Sequence, residues 1–431
     1  TLGSIPSNIK RLTLNHSFNE PIEPGTLPST LKSLTLGWSF NQPFLEGSLP
    51  QSLKELIIGG GFKQEIDNLP HSITSLALQN DHLFKSSRHG LSNTPTSLTK
   101  LKFMDIHHMK ITPGMIPASI TKLDLSDGEL DQICPGALPP SLCSLNVGSC
   151  YSYKIKPGLL PESIISLKLG DWYDHPVAPG MLPKYLRKLS IGENFNEELL
   201  PGSLPPTLTM LSMESGDYDH ELVPGVLPAS LKKLIMSDTY SHALTPGTLP
   251  QGLEELELGA NFDSELGPGV LPSSLTKFML GRNFFPPLDK VVLPASITSL
   301  ALYHPEQRKY ITADTIVNVQ LGCTVLKHLE LYPITNKLDS LGLQTRSPNS
   351  CQTKSASLSI LDDWFRKLCG GSGSGGLALV PNATNYYLMD YNFSDEADEL
   401  MYQYRLIDRR LAIRCSANKD KPHKWTPVYI S

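Results

Sequence analysis

One feature constrains this chain above all others. A proline, usually preceded by Leu or Ile, returns about every 22 residues, at Pro6, Pro28, Pro50, Pro70, Pro95, Pro117, Pro139, Pro161, Pro183, Pro205, Pro228, Pro250, Pro272 and Pro294. Apolar residues follow each proline by three, six and eight positions, as Leu31, Leu34 and Leu36 follow Pro28, and Leu253, Leu256 and Leu258 follow Pro250. The last two alternate with more polar neighbours, which is the period of a short strand. So small a unit cannot bury its own leucines, and successive units must stack to share a core. The spacing predicts a repeat solenoid with one short parallel strand per unit and strands ~4.8 Å apart. A degenerate fifteenth unit is expected at Leu326, Leu329 and Leu331, where Cys323 takes the place of the proline.

Other positions of the unit carry further expectations. Twelve residues after the proline stands an aromatic ring: Phe18, Phe40, Phe62, Tyr151, Tyr173, Phe195, Tyr240, Phe262 and Phe284. These should form a column inside the core. The next residue is often a short amide or carboxylate (Asn19, Asn41, Asp174, Asn196, Asp263), suited to satisfying loop backbone groups. Pro-Gly pairs such as Pro24-Gly25 and Pro179-Gly180 signal turns. Residues 65–110 break the spacing, with His82 and His107 at aromatic positions.

Phe18-Asn19-Glu20-Pro21 and Phe40-Asn41-Gln42-Pro43, with Pro-Gly-x-Leu-Pro and Ser-Leu-x-x-Leu-x-Leu-Gly, closely resemble the FNIP repeats of amoebae and of the giant viruses that infect them. The resemblance covers roughly residues 1–340. It implies a leucine-rich-repeat-like fold, because Leu-x-x-Leu-x-Leu is common to both families. Some FNIP proteins carry an N-terminal F-box that recruits a ubiquitin ligase. No F-box precedes Pro6, so that role is not expected here.

Four segments follow from this reading: a solenoid over 1–342, a cap helix region over 343–369, a Gly/Ser linker over 370–376 and a separate segment over 377–431. In the cap, Leu361, Trp364, Phe365 and Leu368 share one helical face. Gly370-Gly371-Ser372-Gly373-Ser374-Gly375-Gly376 has the composition of an engineered flexible linker. The Gly-x-Gly-x-x-Gly match inside it lacks the strand, helix and acidic partner of a dinucleotide site. Beyond it, Leu400, Met401, Tyr404, Ile407 and Leu411 have helical spacing. Two readings stand open for 377–431: a packed appendage or second cap, and a tethered partner peptide held against the solenoid.

Composition excludes several function classes. With 37 basic and 42 acidic residues the net charge is −5, which argues against a generally basic nucleic-acid binder. No apolar run is long enough to span a bilayer, and the opening residues read as no signal peptide. Seven cysteines without a Cys-x-x-Cys pair point to a reducing, cytoplasmic setting. No Walker loop, nucleophile elbow or His-Glu-x-x-His motif occurs, and His107-His108 beside Asp105 lacks the further ligands of a metal site. A non-enzymatic role without cofactor is expected.

Binding is better supported. In a leucine-rich-repeat geometry, the residues five and seven after each proline point out from a concave strand face. In the middle of the chain these are Lys100, Lys102, Lys122, Asp124, Lys168 and Lys188, and further on Ile235. A polar surface of mixed sign suits a protein or peptide partner. The alternative is a nucleic-acid scaffold on the Lys-rich middle, although the rows hold no aromatics for base stacking. Lysines on an exposed strand also block aggregation, which is the plainer account of them.

Overall fold

The computed structural model describes residues 5–303 except 80–90, 92, 105–107, 128, 214–215 and 288–289. Further on it describes Gln307 and the segments 318–321, 338–344, 383–390, 400–406, 411–417 and 425–429. The chain forms two compact units: Thr1–His220 with Gly225–Leu231, and Glu221–Pro224 with Lys232–Ser431.

In the first unit the strands are β1 (Arg11–Thr13), β2 (Ser33–Leu36), β3 (Glu55–Ile58), β4 (Ser75–Leu78), β5 (Lys100–Met104), β6 (Met109–Ile111), β7 (Lys122–Asp127), β8 (Leu130–Ile133), β9 (Ser144–Asn146), β10 (Ser166–Lys168), β11 (Lys188–Ser190) and β12 (Met210–Ser212). All but β6 and β8 begin five residues after a repeat proline. They pair in parallel, one unit to the next, as in Leu34↔Leu56↔Leu76↔Leu101. The β6–β8 pair is a small separate parallel sheet, and the β5–β7 register shifts between Lys102 and Met104. Both irregularities fall in or beside the stretch where the proline spacing breaks.

The second unit continues the scheme with β13 (Lys233–Ile235), β14 (Glu255–Glu257), β15 (Lys277–Met279) and β16 (Ser299–Leu302). Then come β17 (Asn318–Leu321), β18 (Leu338–Gln344), β19 (Ala383–Asp390), β20 (Leu400–Leu406), β21 (Leu411–Ala417) and β22 (Trp425–Tyr429). Pairing is parallel from β13 to β19 and antiparallel from β19 to β22.

Here the structure departs from the sequence expectations. The strand that pairs with β16 is β17, around Val319 and Leu321; the expected unit at Leu326, Leu329 and Leu331 lies outside the described residues. No proline marks β17, so proline spacing could not find it. The helix expected over Leu400–Leu411 is replaced by β20 and β21, paired antiparallel. Leu400, Met401, Tyr404 and Leu411 are therefore strand residues, and Ile407 lies outside the described set. The reason is period ambiguity: Leu400, Tyr402, Tyr404 and Leu406 also stand two apart, with Gln403 and Arg405 between the last three, and a short aromatic-rich apolar run fits either period. Among the described residues there is no α-helix. The expected cap helix falls outside them, so a helical cap has no support.

The core is built from the predicted positions. Leu31, Leu34 and Leu36 are at most 1% exposed, as are the equivalent leucines of most other units. Each such side chain contributes roughly 1.5–3 kcal/mol by leaving water. The aromatic column is present: Phe18, Phe40 and Phe62 stack with centroids 6.1 Å apart and ring planes within 4°. Tyr173 stacks on Phe195, and Tyr240 on Phe262 on Phe284. Tyr218 also belongs to the column, stacked at 6.2 Å on Phe195. One inserted residue puts it thirteen after Pro205, so strict spacing passes over it. A further buried row, Ile22, Phe44, Ile66, Ile155, Val177, Leu199 and Leu244, stands sixteen after the proline.

Two glycine roles terminate the strands and shape the turns. At Gly25 φ is +80°, and the Thr26 amide donates to the Glu23 carbonyl, so the Pro-Gly turn uses a conformation other residues resist. Nine residues after the proline the need is space. A Cβ on Gly192 would run into the backbone of Gly170 and Asp171 in the preceding unit.

Candidate functional site

Strand alternation divides every unit into a buried and an outward row. In β2 and β3 the burial alternates from half-buried to buried, with Leu34, Leu36, Leu56 and Ile58 inside. The residues five after the proline thus form one outward row, and those seven after it a second, interrupted by the buried Ala77, Ser212, Ile235 and Ala301; the parallel ladder holds both in register. Where these rows carry charge, the two units differ.

In the first unit, Arg11 and five lysines stand against Glu55 and Asp124. Lys100 lies directly opposite Lys122, and Lys102 opposite Asp124. The Lys102 ammonium reaches the Asp124 carboxylate at 3.8 Å, with Lys102 the more covered of the two. Asp124 also accepts from the Ser126 amide at 3.0 Å. Lys100, Lys122, Lys168 and Lys188 are exposed. Lys168 neighbours Asn146 and Ser190; Lys188 neighbours Ser166 and Met210. The structure therefore brings Lys100, Lys102, Lys122 and Asp124 together on β5 and β7, and sets Lys168 and Lys188 on β10 and β11.

In the second unit the same rows carry Lys233, Glu255 and Lys277, opposite one another in sequence of sign. Lys277 donates to Glu255 at 2.6 Å, and Lys233 approaches its other oxygen at 3.4 Å. Partial burial pushes the Glu255 carboxyl up, but the Lys277 hydrogen bond and the two lysine charges outweigh it and hold the group below its ordinary value. A shallow concavity lies over these strands, lined by Lys233, Glu255, Glu257, Lys277, Met279 and Ser299 among others. Ile235 sits on β13 but is only 8% exposed, a packed side chain.

Two recurrent polar positions join the units beyond those the spacing singles out. A Ser or Thr two residues after the proline donates to a backbone carbonyl of the preceding unit: Ser52 to Leu31, Ser163 to Leu142, Ser230 to Leu208 and Ser274 to Leu253. Fourteen or fifteen residues after it, Gln42, His175 and His220 each donate to another such carbonyl. The recurrence itself was the available signal. The Asn/Asp row was anticipated and does the expected work: Asn19, Asn41, Asp174, Asn196 and Asp263 each accept an amide of the next unit at 2.7–3.2 Å. All three sets lock unit to unit and leave the outward rows free for other use.

His108 contacts Asp131 at 3.1 Å and Glu129 at 3.5 Å, while Asp105 and His107 lie outside the described residues. Among the described residues no group of three or more His, Cys, Asp or Glu is placed to hold a metal, and no helix is long and apolar enough to cross a membrane.

Comparison with known proteins bears on this architecture. The family profile described as FNIP repeat matches residues 1–39, 40–81, 131–172, 173–216, 218–261, 240–283 and 262–304. A solved structure, CroV588, described as a novel circular leucine-rich-repeat protein, is similar with a TM-score of 0.50 and 26% identity. The match covers 81% of this chain and 62% of that one, so the chain spans about three fifths of that protein. YopM from Yersinia enterocolitica WA-314 is similar at 22% identity over 78% of this chain and 71% of its own, with a TM-score of 0.43. An internalin from Listeria monocytogenes matches at 14% over 63% and 80%, with a TM-score of 0.36. A search of curated protein sequences gives no match.

Proposed function

This chain belongs to the FNIP-repeat family, and from that premise we propose that it is a scaffold binding a protein or peptide partner along its outward strand rows, and not an enzyme. One observation carries the reading: the regular repeats spend their leucines, rings and short polar residues on their neighbours, and leave in-register outward positions, above all those five after the proline, whose composition stacking does not dictate. A repeat surface of that kind suits an extended or broad partner. Action in the cytosol is part of the reading, supported by the unpaired thiols of Cys134, Cys143 and Cys150. Of residues 377–431, the described strands β19–β22 are read as part of the second unit's sheet and not as a ligand on the rows, because β19 extends the ladder beside β18.

The test is capture from a cell lysate in parallel by the full chain and by two variants. Lys100→Glu with Lys122→Glu alters the rows, and Lys154→Glu with Lys156→Glu alters a loop. A scaffold of this kind retains a protein with the native chain and the loop variant and loses it with the row variant. Equal capture by all three would remove the rows from the binding surface. The nucleic-acid reading has the Lys100–Lys122 step in its favour, but Asp124 occupies Lys102 and no ring lies in the rows for bases to stack on. If nucleic acid is what the chain retains, its affinity should fall by orders of magnitude between low and physiological salt.

A further inference from the structure

We infer that the rows of the first unit take an acidic, extended segment of the partner protein, running across the strands from Lys100 and Lys122 towards Lys168 and Lys188. The inference rests on the scaffold reading and adds the chemistry of the partner. Its ground is a charge arrangement that folding does not explain. Lys100 and Lys122 face each other in the ladder, and like charges directly opposite destabilise a sheet. Among the described residues neither lysine has a carboxylate within ion-pair distance, nor do Lys168 or Lys188. The second unit shows that this repeat can neutralise the same row, since Glu255 there engages both Lys233 and Lys277. Lys100, Lys122, Lys168 and Lys188 are left for something else.

Geometry selects the form of the ligand. From β5 across β7 and β9 to β10 and β11 is four strand steps, or about 19 Å at the usual spacing. About six residues of extended chain cover that distance. Between the two lysine pairs the rows offer Ser144, Asn146 and Ser166, which are short and neutral. The complementary segment therefore carries carboxylates at both ends and small polar residues in the middle. Asp124 stands at one end already bound to Lys102, and it rejects a ligand of uniform dense charge.

The experiment titrates the full chain into a fluorescein-labelled peptide with two Glu-Glu pairs separated by two serines, read by anisotropy at low ionic strength. Saturable binding is expected, weakened about ten-fold by Lys100→Gln with Lys122→Gln and about ten-fold again by physiological salt. Lys233→Gln with Lys277→Gln should change nothing, and a peptide with Gln for every Glu should not bind. Circular dichroism checks folding; if the double variant is unfolded, Lys168→Gln with Lys188→Gln takes its place with the same expectation. No binding, or binding indifferent to these lysines, overturns the inference. So does an oligothymidylate of equal charge that binds more tightly through the same lysines, which would assign the rows to nucleic acid. If the peptide fails while capture from lysate still depends on Lys100 and Lys122, the acidic chemistry falls and the scaffold stands. If capture is also indifferent, both fall.

Discussion

The outward rows of the two units use one scaffold for opposite ends. In the second unit Lys233, Glu255 and Lys277 alternate in sign and close on one another at 2.6 and 3.4 Å. In the first, Lys100 meets Lys122 across the ladder, and among the described residues of these rows only Lys102 finds a carboxylate, at the longer distance of 3.8 Å. Beneath both lie the same leucine rows and the same stacked rings. The difference teaches that core and surface are separable in this repeat. Stacking fixes the leucine positions alike in both units, while the outward charged ones are spent on stability in one unit and held open in the other.

If that separation is right, core substitutions should cost the two units equally. Phe195→Ala and Phe262→Ala each remove a ring that is fully buried between two stacked neighbours. Each should cost ~3–5 kcal/mol in chemical denaturation. A large gap between them would mean that the columns differ as much as the faces do. Smaller in effect, Gly192→Ala and Gly281→Ala force a methyl into the backbone of the preceding unit, against Gly170 in one case and Gly259 in the other. Each should cost ~1–3 kcal/mol as overpacking. Tolerance at one site alone would show that the stacking distance is not common to both units.

Exchanging charge tests the faces themselves, at a smaller scale. Lys122→Glu sets a carboxylate opposite Lys100 and should stabilise the first unit by roughly 0.2–1 kcal/mol. Glu255→Lys puts three ammonium groups side by side and should destabilise the second by at least a similar amount. Both effects should shrink as salt rises. Destabilisation by Lys122→Glu would mean that the Lys100–Lys122 step serves folding after all, and the open-face comparison would break.

How much of this was legible beforehand follows from what each feature depends on. The fourteen proline-led strands, the leucine rows and most of the ring column depend on local spacing, and a sequence displays spacing directly. Tyr218 was missed because one inserted residue shifts the count, although stacking on Phe195 ignores it. β17 was missed because its pairing with β16 needs no proline. The apolar residues of the Leu400–Leu411 stretch satisfy the helix and the strand period alike, and only pairing partners decide between them. The lysines of the rows were found, but their condition was not. That Lys100 faces Lys122 while Glu255 holds both its neighbours is a fact of register and rotamer, beyond what one unit's sequence contains.

The finest test of the comparison is acidity. Glu255 lies below its ordinary value of 4.5, because its bonds to Lys277 and Lys233 outweigh partial burial. A carboxylate lowered in the folded state adds stability above its unfolded value and loses it as pH falls through the folded one. The contribution should therefore be complete near neutrality, begin to fade near pH 4.5 and vanish at more acid pH. Glu255→Gln should cost no more than ~1 kcal/mol at pH 7, since the group is part-exposed and screened. Its denaturation curve should converge with the native one in acid. Asp124→Asn in the first unit serves as the matched control. Its longer contact with Lys102 leaves less to lose, so its difference from the native chain at pH 7 should be the smaller. A Glu255→Gln deficit that persists undiminished below the carboxylate range would mean that packing and not charge holds Glu255 in place. The second unit's face would then be no more self-neutralised than the first.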